Sequence, residues 1–160
     1  MAIIKVGKEE INLNEDHLKF SAETMNDFLT NYAAIYRYYQ NKHDDATYIS
    51  QKLNDQYTKL YNAKFKQFKA DNGYSDKMAE ACAKSDDEVC DFLNKVRVAE
   101  YAKDELKGFL KSMDYAHNSA KEMCYNIRKE LEKIYPKTVS RSDSYDSDGL
   151  KEAFGVTNGE

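Results

Sequence analysis

The sequence contains no tryptophan, one proline and only six glycines in 160 residues. Because proline and glycine interrupt helices, their scarcity predicts a mainly helical chain. No apolar run approaches the roughly 20 residues that cross a bilayer, and the N-terminus lacks the apolar segment of a secretory signal. We therefore expect a soluble, cytoplasmic protein of the all-α class.

Cysteine is also scarce, and its spacing argues against two common uses. The three cysteines are an odd number and include no C-x-x-C pair, which disfavours both a disulfide framework and a zinc site. We expect Cys82, Cys90 and Cys124 to be small core residues in a reducing compartment.

Histidine is equally rare, and no catalytic constellation is evident. The His43-Asp44 pair is typical of metal phosphohydrolases, but those enzymes need further histidines, and this chain has only His17 and His117 besides. A glycine-rich phosphate loop and a nucleophile motif are also lacking. We therefore predict no enzymatic activity, no metal and no cofactor, and we read residues 43–45 as a polar turn.

The longest regular pattern is a heptad repeat in the second half of the chain. Apolar or small residues recur at alternating spacings of three and four, as in a helix that packs along one stripe. The heptad stripe consists of Val89, Phe92, Val96, Ala99, Lys103, Leu106, Leu110, Met113, His117, Ala120, Cys124, Ile127, Leu131 and Ile134.

Such a stripe stays buried only against a supercoiling partner, in the same chain or in another copy. One unbroken helix of this length would span roughly 70 Å, more than the core of one small domain needs. A helical hairpin broken within 114–119 is the alternative, because Ser119 and Glu122 form a second capping box. We predict coiled-coil-like self-association through Leu106, Leu110, Met113, His117, Ala120, Cys124, Ile127, Leu131 and Ile134.

Upstream of the stripe, apolar spacing and capping residues predict two further long helices. Asn12 and Glu15 form a capping box for the first, which should end near Asn41. The second should run from Thr47 to Ala70. Residues 1–13 then form an N-terminal extended arm without a strand partner.

Turn and capping signals complete the predicted helical domain, which we place at residues 14–136. Gly73 should close the second helix, and Ser75 should open a short one. The Ser85–Glu88 segment is a capping box directly before the heptad stripe. Pro136 should end the last helix, leaving residues 137–160 as a flexible acidic tail.

Lysines on the second helix are the candidate anion-binding residues. Lys52, Lys59, Lys66 and Lys69 share one helical face, while Lys64 points into the apolar stripe and must either extend past the helix end or reach an anionic group of some kind. Aromatic residues interleave with them, a mixture typical of single-strand binders. The candidate nucleic-acid contacts are therefore Lys52, Lys59, Lys64, Lys66, Lys69, Tyr61 and Phe65.

Net charge is distributed unevenly, although its total of −4 disfavours nucleic acid as a partner. Residues 17–70 carry eight Lys and Arg against five Asp and Glu, whereas residues 71–94 carry two against seven. Basic helices thus alternate with acidic connectors, so one face can attract an anion although the whole chain does not.

The arrangement resembles the UvsY-type recombination mediator proteins of T-even-like bacteriophages over residues 11–134. The resemblance is carried by Leu18-x-Phe20-x-Ala22, by Ala63-Lys64-Phe65 with Phe68 and Gly73, and by Ile127-Arg128-Lys129. It implies a small helical protein that forms a ring through its C-terminal helices.

The resemblance also implies a function. Such mediators bind single-stranded DNA, weaken the hold of the single-strand-binding protein and load a RecA-like recombinase, here in the host cytoplasm. The basic residues of the family fall on Lys64 and its neighbours Lys59 and Lys66. The alternative is a helical structural or adaptor protein whose lysines form only a solvated surface and which binds no nucleic acid.

Overall fold

The computed structural model describes residues 2–134, so the predicted stop at Pro136 and the predicted acidic tail lie outside the described residues. In chain order the elements are β1 (Ala2–Val6), β2 (Glu9–Leu13), a short 3-10 turn (Glu15–Leu18), α1 (Met25–Asn72), α2 (Asp76–Ser85) and α3 (Asp87–Ile134). The mainly helical character predicted from the sequence is confirmed.

The N-terminal residues form an antiparallel hairpin, so the prediction of an arm without a strand partner was wrong. Ile4 pairs with Ile11 in the ladder between β1 and β2. Gly7 adopts a φ of +62° in the connecting turn, a conformation that glycine takes without steric cost. Apolar residues alternate on both strands and bury one shared face.

α1 is one helix of 48 residues, and the predicted turn at 43–45 does not exist. Tyr39 and Ala46 flank this segment and are 1% and 2% exposed. Burying one aromatic side chain contributes about 4 kcal/mol, whereas an aspartate inside a helix costs at most about 0.7 kcal/mol. Packing therefore outweighs the local preference for a turn, and Thr47 adds a hydrogen bond from its hydroxyl to the carbonyl oxygen of His43.

The start of the first long helix is also displaced from its predicted position. The side chain of Asn14 caps only the 3-10 turn, by accepting a hydrogen bond from the backbone N–H of Asp16. The α-helix itself begins at Met25.

Helix ends further along the chain match the sequence signals closely. Gly73 ends α1 with a φ of +60°, and the Ser75 hydroxyl caps α2, both as predicted. The cap of α3 is one residue later than expected, because Ser85 is still part of α2. Asp86 caps α3 instead, through hydrogen bonds from the backbone N–H groups of Glu88 and Val89.

Up to Cys124, α3 packs antiparallel to α1 along the heptad stripe. The contacts that join them include Cys124 Sγ to Met25 Sδ, the rings of His117 and Tyr32, the rings of Phe109 and Tyr39, and Lys64 Nζ to Glu88 Oε2. α3 is continuous through 114–119, which excludes the helical hairpin.

The hairpin packs against the middle of the paired helices. Its buried side chains join Tyr39 and Ala46 of α1 and residues 102–113 of α3 in one apolar cluster. The Tyr39 hydroxyl fixes the hairpin to α1 by donating to the carbonyl oxygen of Asn12 at 3.1 Å. The predicted arm thus contributes Ile4, Val6, Ile11 and Leu13 to the core.

Candidate nucleic-acid interface

Three of the predicted lysines form a line along one exposed face of α1. Lys52, Lys59 and Lys66 recur every seven residues, so successive side chains are separated by about 10 Å along the helix axis. All three are exposed, and none makes an ion pair with an acidic side chain among residues 2–134. Their charges are therefore available to an external anion.

An exposed tyrosine that was not predicted lies on the same face. Tyr48 is 65% exposed and stands one helical turn before Lys52. Together with Gln51, Lys52, Asp55, Gln56 and Lys59, it lines a shallow groove of about 350 Å³. The signal was present in the sequence, because Tyr48 precedes Lys52 by four residues and Lys59 by eleven. We call Tyr48, Lys52, Lys59 and Lys66 the lysine face.

Lys64 is occupied by an internal contact. Its Nζ atom lies 2.9 Å from Glu88 Oε2 and 3.1 Å from Asp86 Oδ2. Hydrogen bonds to Glu88 and Asp86 raise the pKa of Lys64 above its ordinary value. The sequence alternative in which this lysine reaches an anionic group is the one observed, and Lys64 ties α1 to the first turn of α3 rather than facing solvent.

The pKa of Asp86, which caps α3, is shifted in the opposite direction to that of Lys64. Desolvation acts to raise the pKa of Asp86, but the hydrogen bond from Lys64 and the backbone N–H of Val89 outweigh it and hold the pKa below its ordinary value. Asp86 therefore stays ionised while it serves both the helix cap and the ion pair.

Lys69 is also paired, but at the surface. Its Nζ atom lies 2.6 Å from Asp76 Oδ1, and both side chains are more than half exposed. Exposed pairs of this kind contribute little to stability, so Lys69 can exchange its partner for a phosphate more readily than Lys64.

The two predicted stacking residues do not belong to the lysine face. Tyr61 is half-buried and lies about 160° around α1 from Lys59. Its ring stacks against Tyr57 with 6.3 Å between the ring centroids. Phe65 is half-buried as well. Tyr48 is therefore the better placed aromatic group for an external base.

The central part of the heptad stripe is covered within the chain. Leu106, Leu110, Met113 and Ala120 are at most 5% exposed. Cys124 is half-buried, and its thiol contacts Met25 Sδ at 3.4 Å. In this conformation the four buried residues offer almost no surface to a second copy, because α1 and the hairpin take the place of the partner that the repeat requires.

His117 occupies a stacked, half-buried position. Its ring lies parallel to that of Tyr32, with 3.9 Å between centroids. Burial and then the charge of Lys121 lower the pKa of His117, while Asp114 acts in the opposite sense. The Tyr32 hydroxyl donates to Asp114 Oδ1 at 2.7 Å, and desolvation together with this carboxylate raises the pKa of Tyr32.

The last turns of α3 leave apolar side chains in solvent. Leu131 is 50% exposed and Ile134 is 66% exposed, while Ile127 is half-buried. The Lys129 ammonium lies 4.6 Å from the Tyr125 ring centroid in the same segment. Of the predicted oligomerisation residues, these three keep surface that a second copy can cover.

Within residues 2–134, no group of three His, Cys, Asp or Glu side chains comes close enough to hold a metal ion. In the same part of the chain, no helix is both long enough and apolar enough to cross a bilayer. A scan against protein-family models, a search of curated proteins and a search of solved structures each returned no match.

Proposed function

We propose that this protein binds single-stranded DNA through the lysine face and acts as a non-enzymatic recombination mediator. The observation that carries the proposal is the line of three exposed lysines at seven-residue spacing beside the exposed ring of Tyr48; none of the three is ion-paired within residues 2–134. Cations that follow the backbone and an aromatic ring that stacks on a base are the two components of sequence-tolerant binding to single strands.

Binding to one lysine face is weak and sensitive to salt. Three lysines neutralise about three phosphates, and the affinity comes largely from the counterions that these phosphates release. Asp55 lies in the same groove and opposes the approach of a phosphate. One chain alone therefore holds DNA loosely.

Self-association raises the affinity without any new type of contact. We assign it to the apolar side chains of Ile127, Leu131 and Ile134. An assembly that repeats the lysine face turns the second and later contacts into intramolecular events with a high effective concentration. The resemblance to ring-forming mediators supports this arrangement.

The proposed mediator role uses many weak contacts between the assembly and the DNA strand. A protein that holds DNA through many weak contacts can displace a single-strand-binding protein locally and then yield the strand to a RecA-like recombinase. This step requires no chemical change in the DNA. The support for it is the resemblance over residues 11–134.

The test is the salt dependence of binding to a labelled oligonucleotide, measured by fluorescence anisotropy. Replacing Lys52, Lys59 and Lys66 together by glutamine removes about three phosphate contacts and should reduce the slope of log K against log salt by about 2. Between 50 and 200 mM salt, the wild-type affinity should therefore fall roughly twentyfold more than that of the variant.

In a matched control, glutamine replaces three exposed lysines elsewhere, so that both variants have the same net charge. These lysines are Lys8, Lys77 and Lys107. An equal slope in the wild type and the first variant would remove the lysine face from the proposal. A recombinase-loading assay on DNA coated with single-strand-binding protein then tests the mediator role separately.

The alternative is a structural or adaptor protein, and the exposed apolar residues at the end of α3 are the observation that favours it. They support self-association whether or not DNA is bound. An assembly that forms in solution but shows no affinity for oligonucleotides at low salt would select this alternative.

A further inference from the structure

A cavity of about 330 Å³ opens between the hairpin turn, α1 and α3. Its walls include Val6 of the hairpin, Ile49 and Leu53 of α1 and Val98 of α3. A Cβ atom at Gly7 would lie 3.2 Å from Ile49 Cδ1, so the hairpin turn already packs closely on α1. The cavity is thus a formed feature with walls from three elements, at the lower end of the roughly 300–1,000 Å³ range of ligand sites.

Small side chains keep the cavity open. Ala46, Ala99 and Ala102 line it at positions where larger residues would fill the space. Further along α3, the larger side chains of Leu106 and Phe109 are buried and fill the core. The mouth is accessible, because Val98 is 61% exposed.

The polar groups around this apolar cavity are cationic or neutral. Lys5 from the hairpin and Lys95 from α3 border it together with Asn94, and no acidic side chain among residues 2–134 is part of the lining. In that part of the chain neither lysine lies within ion-pair distance of a carboxylate, and Lys95 Nζ stands 5.6 Å from the Phe92 ring centroid. Glu10 stands opposite Lys5 in the strand ladder without forming an ion pair with it, so the site combines an apolar interior with two lysines that make no ion pair among residues 2–134.

We propose that this cavity binds an acidic peptide segment of a partner protein, with an aliphatic or aromatic side chain of the peptide inserted between Ile49 and Val98. Two cations on separate elements complement carboxylates on both sides of an apolar anchor. A fatty acid offers a single carboxylate and leaves one of the two lysines without a partner. Charge complementarity thus selects the peptide.

This site is separate from the lysine face. None of Tyr48, Lys52, Lys59 and Lys66 lines the cavity. A protein partner and a DNA strand can therefore be bound at the same time, and peptide binding does not depend on the proposed function.

The experiment uses the full chain and a fluorescein-labelled hexapeptide with two aspartates on each side of a Leu-Phe pair. Anisotropy should show saturable binding at low salt. Replacing Leu-Phe by Ala-Ala should weaken binding about thirtyfold, the loss expected for one buried apolar anchor. Replacing the aspartates by asparagine should weaken it about fivefold, since two exposed ion pairs are lost.

Two protein variants test the location of the peptide. Ala99→Leu fills the cavity and should abolish binding, while Val98→Asp places a negative charge on an exposed position at the mouth and should also abolish it without disturbing the core. The Lys52, Lys59 and Lys66 triple variant is the matched control and should bind the peptide as the wild type does. Circular dichroism verifies that each variant is folded.

Three outcomes would overturn the proposal. They are the absence of peptide binding, equal binding of the aspartate and asparagine peptides, and unchanged binding by the folded Val98→Asp variant. Displacement of a fluorescent fatty acid with no binding of any peptide would assign the cavity to a lipid instead. If the protein binds the peptide but no DNA, only the proposed function fails and the peptide site stands.

Discussion

Replacing Leu106 by alanine should destabilise the single chain, whether or not a second copy is bound. Leu106 is 0% exposed and packs in the cluster that joins α1, α3 and the hairpin. Truncating a fully buried leucine leaves a cavity and costs about 3 kcal/mol. For a chain of this size, we expect the melting temperature to fall by about 10 °C.

Leu131→Ala is the matched comparison, because it removes the same atoms from the same helix. Leu131 is 50% exposed, so the substitution should reduce the free energy of unfolding by less than about 1 kcal/mol. It should instead weaken self-association, to which we assign the exposed side chains at the end of α3.

Urea unfolding, followed by circular dichroism at two protein concentrations tenfold apart, separates the two effects. Light scattering on the same samples gives the mass. The reasoning predicts a large, concentration-independent loss of stability for Leu106→Ala and a change in mass for Leu131→Ala. If Leu106→Ala loses stability only through dissociation, so that its midpoint rises with concentration, the intramolecular packing of the heptad stripe is refuted.

Two further predictions concern the faces of α1 and α3. Tyr48→Ala should lower the affinity for an oligonucleotide about fivefold, because roughly 1 kcal/mol of stacking is lost, whereas Tyr48→Phe should keep the wild-type affinity. Equal affinities of the wild type and Tyr48→Ala in an anisotropy titration would contradict this. Burial lowers the pKa of His117 below its ordinary 6.5, so the unfolded chain takes up the proton first as the pH falls through that value, and the folded state loses stability there. His117→Phe should remove this step from urea midpoints measured at neutral and mildly acidic pH; an unchanged step would assign it to another group.

Local sequence signals predicted the helix ends that depend on one or two residues. Gly73 and Ser75 act through their own backbone conformation and side chain, so the α1 to α2 connection could be read directly. Six of the eight buried side chains of α3 lie on the heptad stripe, but the repeat missed Ala102 and Phe109. It could not say what covers them, because the same stripe fits a helix of the chain or of a copy.

The errors arose where distant packing outweighs local preference. The polar residues at 43–45 are helical because Tyr39 and Ala46 on either side are buried against other elements. The hairpin was missed although Ile4, Val6, Ile11 and Leu13 alternate around Gly7. Two isolated strands are marginal in water, so this signal becomes decisive only when α1 and α3 supply a surface to cover.

In the candidate interface, too, the sequence predicted what local helix geometry decides and missed what depends on the packing of distant elements. The spacing of Lys52, Lys59 and Lys66 follows from helix geometry and was predicted from the sequence. That Lys64 pairs with Asp86 depends on the antiparallel packing of α1 and α3, which brings together residues far apart in sequence. Tyr48 was overlooked although its spacing from Lys52 and Lys59 places it on their face, and its 65% exposure makes that position evident.

The packing of the hairpin against α3 has a consequence for folding during synthesis. The ribosome releases β1 and β2 before α3, yet their apolar face packs on residues 102–113, about a hundred positions later. The nascent hairpin must therefore keep part of its apolar face uncovered until residues 102–113 have emerged. A chain arrested before Ala102 would keep that part open to chaperones and to aggregation.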